Sequence, residues 1–557
     1  MTGRDNALLY NYNNTAQTTL RDIENRGVVI CPLVPVTKNS TSEYSMPLTL
    51  LHHELEYAAS IWGDNIAIVT PKESYSFQQL DDTASALAGS LINLGVNPHD
   101  RLAILGHNSA DYIIWHYAAA KIGVILHVLN TRLVTTELQW MIDNAESIAL
   151  VVDSDFVEQA NVLEELCPSI KFLIGMNGET TTEYSTRALA ENGYLSSQLP
   201  DFDPQNAALM IYTSGTTGRP KGALQSHAGS LMADQLSRDA VAITSCDTYL
   251  ALMPFFHQAG LIRTRATLLA GGRCVIPGKV EAAETANAIV RYGVTFTMIA
   301  SPQQNIAIIN KLRDDGPEGF KNLRLLLGGG GVGERATKTI KILCDTLSCD
   351  YFGVYGQTET TGPAVYIRGD DVFERPTACG KPFPGVDIAI WNDNNKPLPP
   401  LSSGEIVVRG PITATYWRNE PANSALYEGE WIHTGDIGYL DDDGFLYFKG
   451  RVKELIKTGA ENVYPREVEA VLEQHPDIAD VAVFGIPDEE WGEVVCMVVV
   501  CRKNSKPDLT EIRAFCRHKM GAYKIPKRLF IREQIPRNHT GKILRQPLIE
   551  SALEENR

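Results

Sequence analysis

The 557-residue sequence predicts an α/β protein: a large N-terminal body of parallel α/β sheets carrying a small antiparallel unit, then a smaller C-terminal α/β domain. Three observations predict it. Short apolar runs alternate with helix-period patterns through most of the chain, the signature of βαβ units. Near Gly404 the texture changes to strand-like alternation around an Asp442-Asp443-Gly444 turn. Beyond residue 453 enough helix and strand patterns follow to fill a separate domain.

In chain order, residues 1–45 are polar and aperiodic and read as an irregular arm. Residues 46–450 form the large body. Within it, 102–105, 148–152, 172–174, 207–211 and 323–327 are strand-like, and 112–122 is helix-like. Residues 405–409 alternate as a strand, and 431–451 hold two strand-like runs about the Asp-Asp-Gly turn. Residues 451–453 are a junction, and 454–557 the small domain. There Pro465 opens a helix as a first-turn residue, with Val468, Val471 and Leu472 on one face. Residues 479–485 and 494–501 read as strands. Ile512, Phe515 and Cys516 mark a second helix, and 548–553 begin a third.

Composition is that of an ordinary globular chain, 44% apolar and 21% charged. Fifty basic and 67 acidic residues give a formal charge of −17, which argues against a general nucleic-acid or membrane-surface binder. Ten cysteines lack any CxxC pair or zinc spacing and read as buried, reduced thiols. The first residues lack a secretory pattern, and no apolar run is long enough to cross a bilayer. A cytoplasmic location is expected. Oligomeric state is not readable.

The stretch from Tyr212 to Gly222, YTSGTTGRPKG, packs hydroxyls, glycines and two cations into one loop after a strand. Glycines let bare N–H groups approach a ligand, and N–H groups with Ser and Thr hydroxyls suit phosphate oxygens. Lys221 adds a mobile positive charge. The ends of strands are where open α/β sheets bind ligands. The loop is not a Walker A motif, because Gly222 rather than Ser or Thr follows Lys221. The string resembles the phosphate loop of the adenylate-forming family of acyl-CoA synthetases, luciferase and peptide-synthetase adenylation domains. The resemblance implies that Thr213, Ser214, Gly215, Thr216, Thr217, Gly218 and Lys221 cradle phosphate.

Five further segments match that family in order. Pro254-Phe255-Phe256-His257 resembles the segment whose histidine lines and gates the acyl pocket, although a lone histidine beside aromatics is usually core. Gly328, Gly329, Gly330, Gly331, Val332 and Gly333 match glycines that leave room for adenine and the acyl chain. They also fit G-x-G-x-x-G, which opens a dinucleotide reading. That fingerprint wants an acid at the end of the next strand, and Asp350 precedes it. Tyr355-Gly356-Gln357-Thr358-Glu359 resembles the segment with an adenine-stacking ring, a hydroxyl near the α-phosphate and a Mg²⁺-binding glutamate. Asp436 and Arg451 match the ribose-binding pair. In the small domain Lys453 matches the hinge and Lys542 the catalytic lysine. Lys457, Gly459 and Asn462 match positions that reach the adenylate after the small domain turns.

The resemblance implies ATP, Mg²⁺ and coenzyme A, and a two-step reaction. A carboxylic acid is activated as acyl-AMP with loss of pyrophosphate, and a thioester follows. Apolar residues near His257 (Phe255, Phe256, Ala259, Leu261 and Ile262) suggest a fatty acid. An aryl acid, or transfer to a carrier protein or amine, is the alternative. An NAD-dependent oxidoreductase built on Gly328, Gly330 and Gly333 is the different-class alternative.

Overall fold

The computed structural model describes residues 48–557 apart from 179–180, 194–198, 214–219, 279–280, 282–283, 300–301, 459–460, 489–490, 504, 518, 538–542 and 556–557. It is mixed α/β and divides into two compact units. The first comprises residues up to Ile211 with Gln225–Lys279, the second Tyr212–Leu224 with Val280 onward. The N-terminal arm lies outside the described residues.

In the first unit, strands β1 (Arg101–Leu105), β2 (Ile125–Val128), β3 (Ala149–Asp153), β4 (Phe172–Met176) and β5 (Ala207–Thr213, of which residues up to Ile211 belong to this unit) form an all-parallel sheet in the order β5-β2-β1-β3-β4. Their residues are apolar at almost every position because both faces are covered. Four helices carry polar groups inward: α1 (His53–Trp62), α2 (Ala110–Lys121), α3 (His227–Val241) and α4 (Gln258–Leu269). Ser109 caps α2 by accepting from Tyr112 N, and Ser226 caps α3 by accepting from Gly229 N. α2 is buried along nearly its whole circumference, so its sequence shows little amphipathic period.

The second unit holds parallel strands β6 (Phe296–Met298), β7 (Leu325–Gly329) and β8 (Asp350–Gln357). The sheet then turns antiparallel through β9 (Gly362–Arg368), β10 (Ala378–Pro382), β11 (Asp387–Trp391), β12 (Gly404–Arg409), β13 (Trp431–Leu440) and β14 (Leu446–Arg451). Its order is β11-β12-β13-β14-β10-β9-β8-β7-β6. The expected antiparallel unit is thus a continuation of the parallel sheet, joined edge to edge by β9 and β10. Gly444, at φ +81°, makes the turn between β13 and β14.

The C-terminal part has its own sheet: β15 (Ile456–Thr458), β16 (Glu461–Val463), β17 (Ile478–Asp488), β18 (Gly492–Cys501) and β19 (Arg528–Ile531). Alternation along β17 and β18 sends side chains into two cores. Val481, Val483, Met497 and Val499 pack with Val468, Leu472 and Ile512. Ala482, Phe484, Cys496 and Val498 pack with Leu548 and Ala552. Helices Pro465–Leu472 and Leu509–Cys516 supply the first core and Arg545–Glu555 the second. No helix among the described residues is long and apolar enough to cross a membrane. Among the described residues eight cysteines are free and seven of these are buried.

Candidate active site

Antiparallel pairing of β13 with β14 sets Asp436 opposite Arg451. Asp436 is only 3% exposed. Its Oδ2 accepts from the Tyr355 hydroxyl at 2.9 Å and from Gln357 Nε2 at 2.6 Å, and its Oδ1 lies 3.1 Å from Arg451 Nε. Two donors thus come from the end of β8 and a cation from β14. Burial, then the neighbouring Asp436 charge, holds the Tyr355 hydroxyl well above its usual range, so it stays a donor.

The turn before Asp436 is braced as well. Gly435 takes φ +67°. Its N–H donates to Glu405 Oε1 at 3.0 Å, while Glu405 Oε2 faces His433 Nδ1 at 2.8 Å. Thr434 Oγ donates to Ile406 O and accepts from Asp436 N.

Glu359 lies on the turn after β8, part-buried, and its Oε1 accepts from the Tyr416 hydroxyl at 2.8 Å. Glu359 Oε2 has no hydrogen-bond partner among the described residues. A part-buried carboxylate with one oxygen held and one available fits a hard divalent cation, which takes few protein ligands. Thr358 is part-buried beside it. Lys221 opens the strand Lys221–Ser226 rather than ending a loop, and its ammonium sits 4.9 Å from the Tyr416 ring centroid. Thr213 is the last residue of β5. Ser214, Gly215, Thr216, Thr217 and Gly218 lie outside the described residues.

The glycine run is also constrained by the protein's own packing. A Cβ on Gly328 would meet the Tyr351 hydroxyl at 2.2 Å, and one on Gly330 would meet Cys379 O at 2.7 Å. The protein's own packing therefore demands both, and only Gly329 faces open space. A Cβ on Gly356 would likewise strike Gly362 O at 2.2 Å. The dinucleotide reading fails on register. Asp350 pairs with Leu325 at the start of β8, while Gly329 pairs with Val354 near its far end.

In the first unit, His257 is the N-cap residue of α4. Burial, aided by the nearby Arg132 charge, pushes its ring down to about 4, so it is neutral at physiological pH. Phe255, Phe256, Leu261 and Ile262 beside it are at most 6% exposed, and the Phe255 ring meets Tyr112 edge-on at 5.5 Å. These side chains are core, which removes the reason to read them as a fatty-acid pocket.

In the small domain, Lys453 lies on a 3₁₀ turn, Val452–Glu454, and is exposed. Lys457 is exposed on β15, where its backbone N donates to Glu493 Oε2 at 2.6 Å and it pairs in register with Asn462. Gly459 and Lys542 lie outside the described residues. Tyr416 and Glu405 were not among the sequence candidates. Tyr416 is 57 positions from Glu359, and no spacing rule links them.

An α/β body that carries the sequence YTSGTTGRPKG from the end of a strand onward, and clasps an aspartate between a tyrosine, a glutamine and an arginine, is of the adenylate-forming class. The chain belongs to the AMP-binding enzyme family: the AMP-binding enzyme model matches residues 55–417 and the AMP-binding enzyme C-terminal domain model matches residues 467–542. A 2-succinylbenzoate–CoA ligase of Bacillus cereus (strain Q1) is 33% identical over 492 residues, 88% of this chain and 96% of the relative. Among solved structures, the o-succinylbenzoate CoA synthetase from Bacillus subtilis in complex with its acyl-adenylate intermediate is 29% identical. It superposes with a TM-score of 0.77 over 89% of this chain and 97% of that one. The same enzyme in complex with ATP and magnesium ion is 28% identical, with a TM-score of 0.76 over 89% and 99%.

Proposed function

We propose that the chain is an AMP-forming acid–thiol ligase that activates an aryl carboxylic acid with ATP and passes it to coenzyme A. The observation that carries this reading is the pairing of a near-full-length 2-succinylbenzoate–CoA ligase relative with the clasped Asp436. With the apolar residues at His257 accounted for as core, the aryl acid is favoured over the fatty acid.

The roles follow from chemistry. Asp436 accepts the ribose hydroxyls and Arg451 stands beside the sugar and phosphate. Tyr355, with Gly356 and Gln357, borders the adenine. Thr213, the loop 214–218 and Lys221 hold phosphate. Thr358 stands near the α-phosphate, and Glu359 would hold Mg²⁺. When bound, that cation supplies charge neutralisation on phosphate oxygens. Carboxylate and α-phosphate are both anionic, and two unit charges at 4 Å repel by about 4 kcal/mol at an effective dielectric near 20. Lys221, Lys542 and the loop N–H groups offset that repulsion, so the protein's task is positioning and charge stabilisation. No general base is needed, because the acid is ionised near pH 7. The neutral His257 borders the acyl group without attracting its carboxylate elsewhere. The proposed domains are an arm 1–45, a body 46–450, a hinge 451–453 and a small domain 454–557. Turning at Lys453 withdraws Lys542 and brings Lys457, Gly459 and Asn462 to the adenylate for thiol attack.

The test is ATP–pyrophosphate exchange with Mg²⁺ and a panel of acids, with AMP release on adding coenzyme A. 2-Succinylbenzoate and simpler benzoates are expected to exceed fatty acids. Fatty acids alone giving exchange would overturn the aryl assignment, and exchange with no acid would overturn the ligase reading. Lys542→Ala is expected to lower exchange by about 10²–10³-fold, the range for losing one preorganised donor, while sparing thioester formation from supplied acyl-AMP.

A further inference from the structure

We propose that Tyr416 is the positioning residue that keeps the cation-holding carboxylate and the phosphate-loop lysine apart and aimed. The proposal rests on the nucleotide-activating reading above and adds to it a residue that no motif assigned.

Tyr416 ends the strand Ala414–Tyr416 and is buried. Its hydroxyl donates to Glu359 Oε1 at 2.8 Å, and the face of its ring carries Lys221 Nζ at 4.9 Å. The backbone fixes the same junction. Ala414 N donates to Glu359 O at 2.9 Å, and Trp417 N donates to Gly222 O at 2.8 Å. Asn423 closes it from behind, accepting from Tyr416 N at 2.6 Å and donating to Tyr416 O at 3.0 Å. One side chain therefore touches the turn that bears Glu359 and the strand that begins with Lys221.

The arrangement solves a charge problem. An ammonium close to a carboxylate forms a direct ion pair and occupies the place a divalent cation needs. Lys221 forms no ion pair among the described residues and rests on the phenol ring instead. The hydroxyl meanwhile holds one oxygen of Glu359, so the other is presented in a fixed direction. Burial, then the Glu359 charge, raises the phenol well above its usual range, which keeps it a donor at every working pH.

Two variants separate the two contacts. Tyr416→Phe keeps the ring and loses the hydroxyl; Tyr416→Leu loses both. The full chain is titrated with Mn²⁺ in the presence of ATP, with binding read by electron paramagnetic resonance. ATP binding is read separately in EDTA by calorimetry, and thermal melting reports folding. Tyr416→Phe is expected to weaken Mn²⁺ binding about 10-fold, one charge-assisted hydrogen bond, with metal-free ATP affinity within about 2-fold of wild type. Tyr416→Leu is expected to weaken Mn²⁺ binding further and to lower metal-free ATP affinity as well. Wild-type Mn²⁺ affinity in Tyr416→Phe overturns the proposal. So does an equal loss of metal-dependent and metal-free binding in that variant, which is what a purely structural residue would give. If wild-type protein binds no ATP at all, it is the underlying reading that falls.

Discussion

Asp436 lies under two donors from β8 and one cation from β14, so its carboxylate has a single orientation before any ligand arrives. Replacing it by Asn puts an amide N–H₂ against the Tyr355 hydroxyl, Gln357 or Arg451, all of them donors. Hydrogen bonds to charged groups contribute about 1.5–3 kcal/mol each. Asp436→Asn is therefore expected to raise the KM for ATP by roughly 10- to 100-fold, read in steady-state exchange assays. The KM for the acid should move far less, and an equal rise in both would contradict a ribose-side role. At this scale the sequence exposed the groups that lie in named motifs, Asp436, Glu359 and Tyr355. It did not expose Tyr416, Glu405 or the clasp by Gln357, because these contacts join segments far apart in the chain and leave no periodic trace. It did not show that Gly328 and Gly330 pack closely against Tyr351 and Cys379, since close packing against the protein leaves the same letter in the sequence as close packing against a ligand.

Helices of the first unit enclose an ion cluster that no pattern announced. Arg265 on α4 makes a two-pronged contact with Asp234 on α3, at 2.7 and 3.0 Å. Glu54 on α1 accepts from the Tyr117 hydroxyl of α2 at 2.7 Å and lies 3.8 Å from Arg265 Nε. All are fully buried or nearly so. In sequence these are isolated charges on helix patterns, indistinguishable from solvated ones, whereas the helices themselves were readable from their apolar content. Two carboxyls share one guanidinium. Burial, then the Asp234 charge, raises Glu54 well above its usual range, and burial raises Asp234 to about 6. The folded protein thus keeps protons that the unfolded chain, with carboxyl values near 4, releases. This contribution to stability is fully present below about pH 4 and is lost as pH rises through about 6 and above. Glu54→Gln mimics the protonated acid. It is expected to cost less than about 1 kcal/mol at pH 7 and to flatten the pH dependence of urea unfolding between pH 5 and 8. Arg265→Met leaves Asp234 buried without its partner and is expected to cost about 3–5 kcal/mol. Equal destabilisation by both variants would contradict a shared-proton cluster.

At the level of the whole chain, the small domain has cores on both faces of its own sheet, built only from residues after the junction. That independence was legible, because Val, Ile and Phe alternate along β17 and β18 and each helix shows one apolar face. Which pose the domain takes was not legible, because it depends on contacts across the junction that leave no pattern in the sequence. One is Glu467, which pairs with Lys449 of β14 at 3.3 Å and also with Lys524. Both pairs keep about a quarter of their side-chain surface in water, and ion pairs near the surface contribute about 1 kcal/mol, little enough to break in a domain rotation. The proposed turn then falls on the 3₁₀ segment Val452–Glu454. Proline fixes φ near −65°, inside the range of a 3₁₀ turn, so Lys453→Pro resists a large change in backbone angle at residue 453. It is expected to form the adenylate at a rate close to wild type while thioester formation falls by about 10²-fold or more, the penalty for misplacing a reacting group. Lys453→Ala removes the same side chain and keeps backbone freedom, so it should retain both half-reactions. Rapid-quench measurement of acyl-AMP and thioester in parallel distinguishes the outcomes. Loss of both steps in the proline variant, or loss of the second step in the alanine variant, would move the effect away from backbone rotation at residue 453.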